Sequence, residues 1–381
     1  MRVELTDTQR QLRDAMRDFA ERRIHPVAAE IDRSGRFPRD IVTELGRLGV
    51  LGCGIPETWG GTALDAVAYA VALEELARVS AATAAIVATH ASLVAWPLLT
   101  FGNDAQRARF LPALARGDRL GGWALAEPTE PDAPPPIIAT WDLEHYILNG
   151  QCTAVLNAPE AGVVIVFAAL EPKADTDFLA AFLVETDQPG WRPLRSMERI
   201  GLRGAPGAEV ALTHVRVPRE NRLGVDSAGR AIARQTLEAA RVAAAAQSVG
   251  VARAALDDAL AYARERRTFG HVLADFQAIQ FRLADMATAV DAARLLTLEA
   301  AFLQSARRPH ANEATMARLL ATETAMQLAT QAVQVHGGYG YTREFAVERY
   351  FRDAAALGVP AETAERERLG IAERLLREAT P

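Results

Sequence analysis

Two adjacent glycines and one arginine of this chain are of types that can hold a phosphate. Gly337 and Gly338 end a long alanine-rich helical pattern, and without a Cβ their backbone N–H groups can approach a pyrophosphate closely. Arg266 carries a planar guanidinium that suits phosphate oxygens. The structural alternative is a helix that simply ends at the two glycines, together with an arginine that is only solvated.

Few residues are candidates for proton transfer. His90 lies between Arg78 and Asp104 in a stretch without any Asp, Glu, Lys or Arg, so we predict a hydrogen-bonded core histidine rather than a base. Glu130 and Asp132 lie in a proline-rich loop, where acidic side chains are usually solvated. The seven histidines are scattered without an H-x₃-H pair, so we predict no metal site.

The composition is that of an ordinary globular protein. The chain has 381 residues, 50% hydrophobic and 24% charged, which is enough for two or three structural units. Its net charge of −6 argues against a nucleic-acid-binding face. Cys53 and Cys152 are too few for a disulfide framework, and we predict buried thiols in a reducing compartment.

Two segments bear on membranes and targeting. The first 23 residues carry charges throughout, which excludes the apolar core of a signal peptide and predicts a cytoplasmic location. The uncharged stretch around His90 is built largely of Ala, Ser and Thr, with Pro97 inside it. It is too weakly hydrophobic for a bilayer, so we predict a helix buried on all sides and no membrane partner.

The order of elements along the chain is helical, then β, then helical. Residues 5–116 show apolar positions at helical spacing, with Thr6 as the first N-cap. Residues 120–217 consist of short β-branched segments punctuated by Gly, Pro and Asp. We predict a mainly α fold with a central β domain. The predicted domains are 1–119, 120–222 and 223–381, the last with long helices near 231–266, 275–307 and 312–335.

Motifs along essentially the whole chain resemble those of the acyl-CoA dehydrogenase family. They are IPETWGGTALDAVAYAVALEELAR (55–78), WALAEP (123–128), YILNG (146–150), RVPRENRLG (216–224), LAYARERRTFG (260–270), FQAIQFRLADMA (276–287), QAVQVHGGYGYTREFAVERYFRDA (331–354) and ERLGIAERLL (367–376). The resemblance implies an N-terminal helical domain, a middle β-barrel-like domain and a C-terminal bundle of long helices. It also implies a tetramer, with FAD between the β domain and the bundle.

The chemistry that this resemblance implies is oxidation of an acyl thioester. A carboxylate removes the α-proton while the β-hydrogen leaves as hydride to flavin N5, so base and flavin must face opposite sides of one Cα–Cβ bond. An apolar pocket would exclude water from the reaction.

The resemblance places the ADP half of an FAD site on residues of the C-terminal region. In the family, one subunit contributes its Q-x-x-G-G turn to the FAD of its neighbour, so the preserved turn fits a mixed tetramer with an active relative as well as the homo-oligomer that the resemblance implies. The matching residues are Arg266, Thr268 and Phe269 of an R-x-T-F-G motif, Gln277 after it, Gln334, Gly337 and Gly338 of the Q-x-x-G-G turn, and Thr363 of the Y-E-G-T segment.

The first loop expected at the flavin ring departs from the family. LAEPTEPDAPPP (125–136) stands where L-T-E-P followed by A-G-S-D is usual. Ala126 lacks the expected hydroxyl, and the prolines have no N–H to offer a phosphate or a flavin edge.

The second flavin-ring loop departs as well. NGQCTAVLN (149–157) stands where N-G-x-K-x-W-I-T/S-N is common. Ala154 replaces the aromatic residue, Leu156 the hydroxyl and Cys152 the lysine. The usual flavin-ring contacts are therefore missing from both loops.

The family's catalytic base is also displaced. The Y-E-G-T segment falls on PAET (360–363), so Ala361 occupies the carboxylate position and Glu362 the next one. On a helix, a shift of one residue rotates a side chain by about 100°. Other members carry the base just before an arginine of a long helix, where this chain has Ala240 before Arg241. Glu362 remains the candidate base.

Arg241 matches an arginine beside the family's thioester site, and it could contact substrate or CoA or form a salt bridge inside the bundle. Two functions follow from these residues. The first is an FAD-dependent dehydrogenase for an acyl-CoA or a carrier-bound acyl group, with Glu362 as base. The second is a non-redox or degenerate homologue: an acyl-thioester-binding subunit paired with an active paralogue in a mixed tetramer, or an enzyme of flavin-independent acyl chemistry. A flavin monooxygenase-like relative is a third, weaker option.

Overall fold

The computed structural model describes residues 4–126, 136–171, 179–225, 228–359 and 363–378. Helices occupy both ends of the chain and strands its middle, which confirms the predicted fold class. The α-helices are α1 (Asp7–Phe19), α2 (His25–Ser34), α3 (Arg39–Arg47), α4 (Ala66–Val79), α5 (Ala81–His90), α6 (Trp96–Phe101), α7 (Asp104–Arg116), α8 (Gly229–Glu265), α9 (Gln277–Ser305), α10 (Ala311–His336), α11 (Val347–Leu357) and α12 (Ala364–Glu378). The strands are β1 (Leu120–Ala124), β2 (Ile137–Asp142), β3 (His145–Leu156), β4 (Ala161–Leu170), β5 (Leu179–Glu185), β6 (Trp191–Ser196), β7 (Gly207–Pro218), β8 (Arg222–Leu223), β9 (Arg267–Thr268) and β10 (His271–Val272).

The first helix begins at the cap that the sequence predicts. Thr6 Oγ1 accepts a hydrogen bond from the backbone N–H of Gln9 at 3.3 Å, and Gln9 Oε1 accepts one from the Thr6 N–H at 2.9 Å. This reciprocal capping box satisfies two N–H groups that the helix leaves without partners. Met16 and Phe19, at helical spacing, are buried against the rest of the helical core.

The helical stretch Ala81–Phe101 is, among the described residues, the one long and apolar enough to cross a membrane by length and composition. It joins α5 to α6 through a π-helical turn at Ala91–Ala95. Of its most apolar window, 72% is buried inside the protein. The stretch is therefore accounted for as a buried core helix, as predicted, although the expectation that its composition is too weakly hydrophobic for a bilayer was wrong.

The middle strands form one eight-stranded sheet with the order β6-β7-β3-β1-β4-β5-β8, and β2 pairs with both β3 and β4. Alternate residues of β4 enter two different cores. Val164 and Val166 lie in the interior of the β domain, whereas Val163 and Ile165 pack toward the helices. Both faces of β4 are thus buried, which explains its uninterrupted apolar sequence.

The long helix α8 packs closely against α4 of the N-terminal helices. A Cβ at Gly250 would stand 2.4 Å from the carbonyl oxygen of Glu74, so the close approach of these helices requires glycine there. Ala246 and Ala254, four residues to either side of Gly250 on the same helix face, are almost completely buried. Small side chains therefore bring the two helical regions into one core.

Two buried carboxylates on α4 add charged contacts to this interface. Glu74 accepts hydrogen bonds from Arg294 Nε of α9, at 2.9 and 3.0 Å, and from Arg253 of α8. Glu75 accepts from Arg17 Nη2 of α1 at 2.9 Å and from Arg253 Nη1 at 3.1 Å. The pairs join four helices.

Helix α11 is tied to the β domain and to α2 by two consecutive residues. Asp353 accepts a hydrogen bond from the backbone N–H of Leu202 at 2.7 Å, and its burial raises its pKa to about 6. Arg352 pairs with Asp32 of α2 at 2.6 Å and donates to the carbonyl of Ile200 at 3.1 Å. This junction fixes the helix that precedes residues 360–363.

Candidate functional site

The two glycines of the predicted phosphate cradle lie at the end of α10. Helix α10 ends at His336, and Gly337 has φ +59° in a short 3₁₀ turn, Gly337–Tyr341. A Cβ placed on Gly337 or on Gly338 would meet no atom of the chain within 4 Å. Open space thus lies over this turn, so a phosphate can approach it closely, while the Gly337 N–H itself donates to the Gln334 carbonyl.

Arg266 lies beside this turn, as the cofactor interpretation requires. Its guanidinium carbon stands 5.3 Å from the centre of the Tyr339 ring, a cation–π distance. The hairpin of β9 and β10 follows directly, closed by a hydrogen bond from the Leu273 N–H to the Arg266 carbonyl at 2.8 Å. The structure therefore places the two elements predicted to bind phosphate, far apart in sequence, next to each other.

The other residues matched to the ADP half surround these two elements. Thr268 ends β9, and Phe269 at the hairpin tip has φ +50° and is 91% exposed. Gln277 begins α9 and Gln334 lies in the last turn of α10, both exposed. Such exposure in a single chain fits a site that is completed by another molecule.

An aromatic cluster packs at the end of α10, next to the glycine turn. The His336 ring stacks on Tyr262 of α8 at 4.1 Å, and Phe345 packs edge-on against both rings. Burial lowers the pKa of His336, so the ring is neutral near pH 7 and acts as an apolar support. This cluster fixes the end of α10 against α8.

The β-domain residues that depart from the family pattern face different surroundings. Cys152 is buried among the apolar side chains of the β-domain interior. Ala154 is exposed, and Leu156 is half-buried where β3 pairs with Trp123 of β1. Ala126 is half-buried two residues after the end of β1. The prolines at 131, 134 and 135 lie outside the described residues. Among the described residues at these positions, Ala126, Ala154 and Leu156 have no polar side-chain group for a flavin ring, and the Cys152 thiol lies in the domain interior.

His90 is a structural residue. It is fully buried, and its Nδ1 accepts a hydrogen bond from the Gly121 N–H at 3.0 Å. Burial lowers its pKa to about 4, which keeps the ring neutral near pH 7. Sequence reasoning predicted a core histidine here, and this geometry confirms it.

A second group of residues lies where α8, α10 and α12 meet. Thr363 caps α12, since its Oγ1 accepts from the Arg366 N–H at 3.3 Å. Arg241 of α8, next to the half-buried Ala240, points its Nε toward Glu367 Oε1 of α12 at 3.7 Å. Ala361 and the candidate base Glu362 lie outside the described residues.

Sequence reasoning missed Glu367. It is one of four charged residues in the run ERER (365–368), and its neighbours give no sign of burial. In the structure it is 2% exposed, and Oε1 accepts a hydrogen bond from Arg318 Nη1 of α10 at 2.5 Å. Only the packing of α12 against α10 distinguishes it from Glu365 and Arg366.

The fold and the site together define a class: a three-part helical, β and helical protein with an exposed glycine turn beside an arginine in its C-terminal bundle. Comparison with known proteins specifies the class further. Residues 6–118 match the model of the acyl-CoA dehydrogenase N-terminal domain, and residues 227–376 match that of the C-terminal domain. The chain belongs to the acyl-CoA dehydrogenase family.

Whole-length relatives agree with this assignment. The chain is 40% identical over 377 residues to the mitochondrial short-chain specific acyl-CoA dehydrogenase of Mus musculus, covering 98% of this chain and 92% of the relative. It is 40% identical over 380 residues to YngJ of Bacillus subtilis, described as a probable acyl-CoA dehydrogenase, covering 99% and 100%. The solved structure of butyryl-CoA dehydrogenase from Megasphaera elsdenii superposes with a TM-score of 0.95 at 35% identity, covering 99% and 100%.

Proposed function

We propose that this protein catalyses FAD-dependent α,β-dehydrogenation of a short-chain acyl-CoA. The observation that carries the proposal is the open Gly337–Gly338 cradle beside Arg266. The chain that carries this cradle is similar over its whole length to short-chain and butyryl-CoA dehydrogenases. In the reaction the α-hydrogen leaves as a proton and the β-hydrogen as a hydride, and a C=C bond forms between the two carbons.

The residues of the cradle fit the ADP half of FAD, which when bound supplies the hydride acceptor. The backbone N–H of Gly338 and the Arg266 guanidinium would bind the pyrophosphate, whereas the Gly337 N–H donates to the Gln334 carbonyl and fixes the turn. Exposed amides and an exposed aromatic ring would complete the pocket. These further residues are Thr268, Phe269, Gln277 and Gln334, with Thr363 on the α12 side.

Glu362 is the proposed base that takes the α-proton. It is the acidic residue next to the position where the family carries its carboxylate, and the other known base position holds Ala240. Thr363 follows it and caps α12, so the structure fixes the point at which this segment enters the helix. Arg241 is proposed to bind the acyl thioester.

We also propose a homo-oligomer assembled through α9. Phe281, Leu295 and Phe302 are exposed, and their spacings of 14 and 7 residues place them on one face of the helix. Exposed Phe269 and Tyr341 extend this apolar surface near the cradle. A second copy that covers α9 would also reach the exposed cofactor residues, in agreement with the tetramer implied by the family resemblance.

The base assignment is tested by Glu362→Gln. Loss of a general base costs about 10²–10⁴-fold in rate, so we expect butyryl-CoA oxidation to fall by at least 10²-fold. Exchange of the α-hydrogens of butyryl-CoA with D₂O should stop as well, while the FAD content stays that of the wild type. Glu373→Gln, an exposed change on α12, is the control and should retain full activity. Normal α-hydrogen exchange in Glu362→Gln would contradict the assignment.

A second candidate function is favoured by the β domain. Cys152 is turned into the β-domain interior and Ala154 presents only a methyl group, so neither supplies the usual lysine or aromatic contact. The loss of these two contacts would be tolerated by a homologue that binds an acyl thioester without redox chemistry. Such a homologue could act alone or beside an active paralogue. Flavin release by heating separates the two functions, because a purified chain that neither holds nor takes up FAD supports the second.

A further inference from the structure

A buried carboxylate joins three helices of the C-terminal bundle. Glu367 of α12 lies 2.5 Å from Arg318 Nη1 of α10, and the same oxygen lies 3.7 Å from Arg241 Nε of α8. The side chains of Glu367 and Arg318 have almost no exposed surface. The Oε1 atom of Glu367 therefore contacts both Arg318 and Arg241.

The two arginines are held differently. The Arg318 contact is a short hydrogen bond between charged groups, whereas the Arg241 contact is an ion pair at a longer distance. Arg318 thus anchors the carboxylate, and the anchored carboxylate limits where the Arg241 guanidinium can lie. Desolvation offsets most of what a buried ion pair gains in stability, so the arrangement is better explained by orientation than by folding energy.

The location of the pair connects it to the site. The Glu367 N–H donates to the carbonyl of Thr363 at 3.1 Å in the first turn of α12. Glu367 and Arg318 line a cavity of about 180 Å³ that is otherwise largely apolar, with Gly358 and Ala364 in its wall. Arg241 follows Ala240, the alternative base position of the family.

We propose that Glu367 is a positioning residue that orients the Arg241 guanidinium for the acyl thioester. This inference rests on the proposed function, which assigns thioester binding to Arg241. Glu367 itself needs no contact with substrate, and it acts through the arginine.

The test is a double-mutant cycle on the FAD-loaded protein. S-butyl-CoA, a thioether that cannot be oxidised, is titrated by calorimetry and by the change in flavin absorbance. We expect Glu367→Gln and Arg241→Gln each to weaken binding about tenfold, the size of a charge-assisted contact, and the double variant to bind no more weakly than either. Multiplied losses in the double variant, or wild-type binding by Glu367→Gln, would overturn the proposal.

Two controls separate orientation from folding. Glu323→Gln removes a carboxylate that lines the same cavity but is half-exposed and paired with the exposed Arg368, and it should bind the thioether as the wild type does. Glu367→Asp keeps the charge on a side chain one methylene shorter, so it should bind the thioether more tightly than Glu367→Gln and more weakly than the wild type. If Glu367→Gln does not fold, Glu367→Asp takes its place in the cycle. Binding of S-butyl-CoA by Glu367→Asp with the wild-type affinity would then count against the proposal.

The outcome also distinguishes this inference from the proposed reaction. A wild type that binds S-butyl-CoA but does not oxidise butyryl-CoA contradicts the dehydrogenase function and leaves the Glu367 inference to be decided by the cycle. A wild type that does not bind the thioether overturns both.

Discussion

A substitution at Gly338 is expected to affect FAD binding without affecting the stability of the fold. Its backbone lies outside the left-handed region, and a Cβ there would meet no atom of the chain within 4 Å, so alanine should cost the fold little. The same methyl would stand between the backbone N–H groups and a bound pyrophosphate. We expect Gly338→Ala to unfold at the wild-type temperature and to bind FAD about tenfold more weakly, measured by flavin fluorescence. Gly370→Ala, equally open, should leave FAD affinity unchanged. Equal FAD affinity in Gly338→Ala and wild type would contradict the cradle.

His90 predicts a pH dependence of stability. Burial lowers its folded pKa from 6.5 to about 4, so the native state resists a proton that the unfolded chain accepts. Its contribution to stability is complete above pH 6.5 and is lost as pH falls toward 4. We expect the midpoint of thermal unfolding to decline over this window, and to decline less steeply in His90→Asn. Identical slopes for the two proteins would show that another group is responsible.

At the scale of elements, Glu75 joins α1, α4 and α8. Its side chain is 1% exposed and pairs with Arg17, Arg78 and Arg253. Removing one partner of a buried pair leaves charges uncompensated, so we expect Glu75→Gln to destabilise the protein by about 3–5 kcal/mol. Asp18→Asn, which breaks an exposed pair with Arg22, should cost under about 1 kcal/mol. Thermal unfolding of both variants checks this, and equal shifts would contradict it.

The elements also show where sequence reasoning succeeds and where it stops. Thr6 and β4 could be predicted because capping and apolar runs are local properties. Glu75 and Glu367 could not, because a charged residue in a helical pattern looks the same whether solvent or another helix covers it. Burial of these carboxylates is decided by the packing of α4 on α8 and of α12 on α10.

The site shows the same division. The ADP-half motifs could be read from sequence, because Arg266 and Gly337 belong to short recognisable patterns. Their contact through Tyr339 needed the fold, which brings the ends of α8 and α10 together. The role of Glu362 stays a prediction, since it lies outside the described residues.

At the scale of the whole molecule, one chain leaves its proposed cofactor residues and an apolar face of α9 exposed. Phe269 and Tyr341 lie near the cradle, and Phe281 and Phe302 mark the helix face. Covering such a surface with a second copy would remove apolar area from water and close the cofactor pocket in one step. Assembly and FAD binding are therefore expected to be coupled.

The account is tested most directly by the visible spectrum of the purified, FAD-loaded protein under anaerobic conditions as butyryl-CoA is added. We predict near-stoichiometric FAD and bleaching of its absorbance as the flavin accepts the hydride. Glu362→Gln should hold the same FAD and bleach at least 10²-fold more slowly. A protein that stays coloured with every short-chain acyl-CoA, or that binds no FAD at all, would contradict the dehydrogenase function.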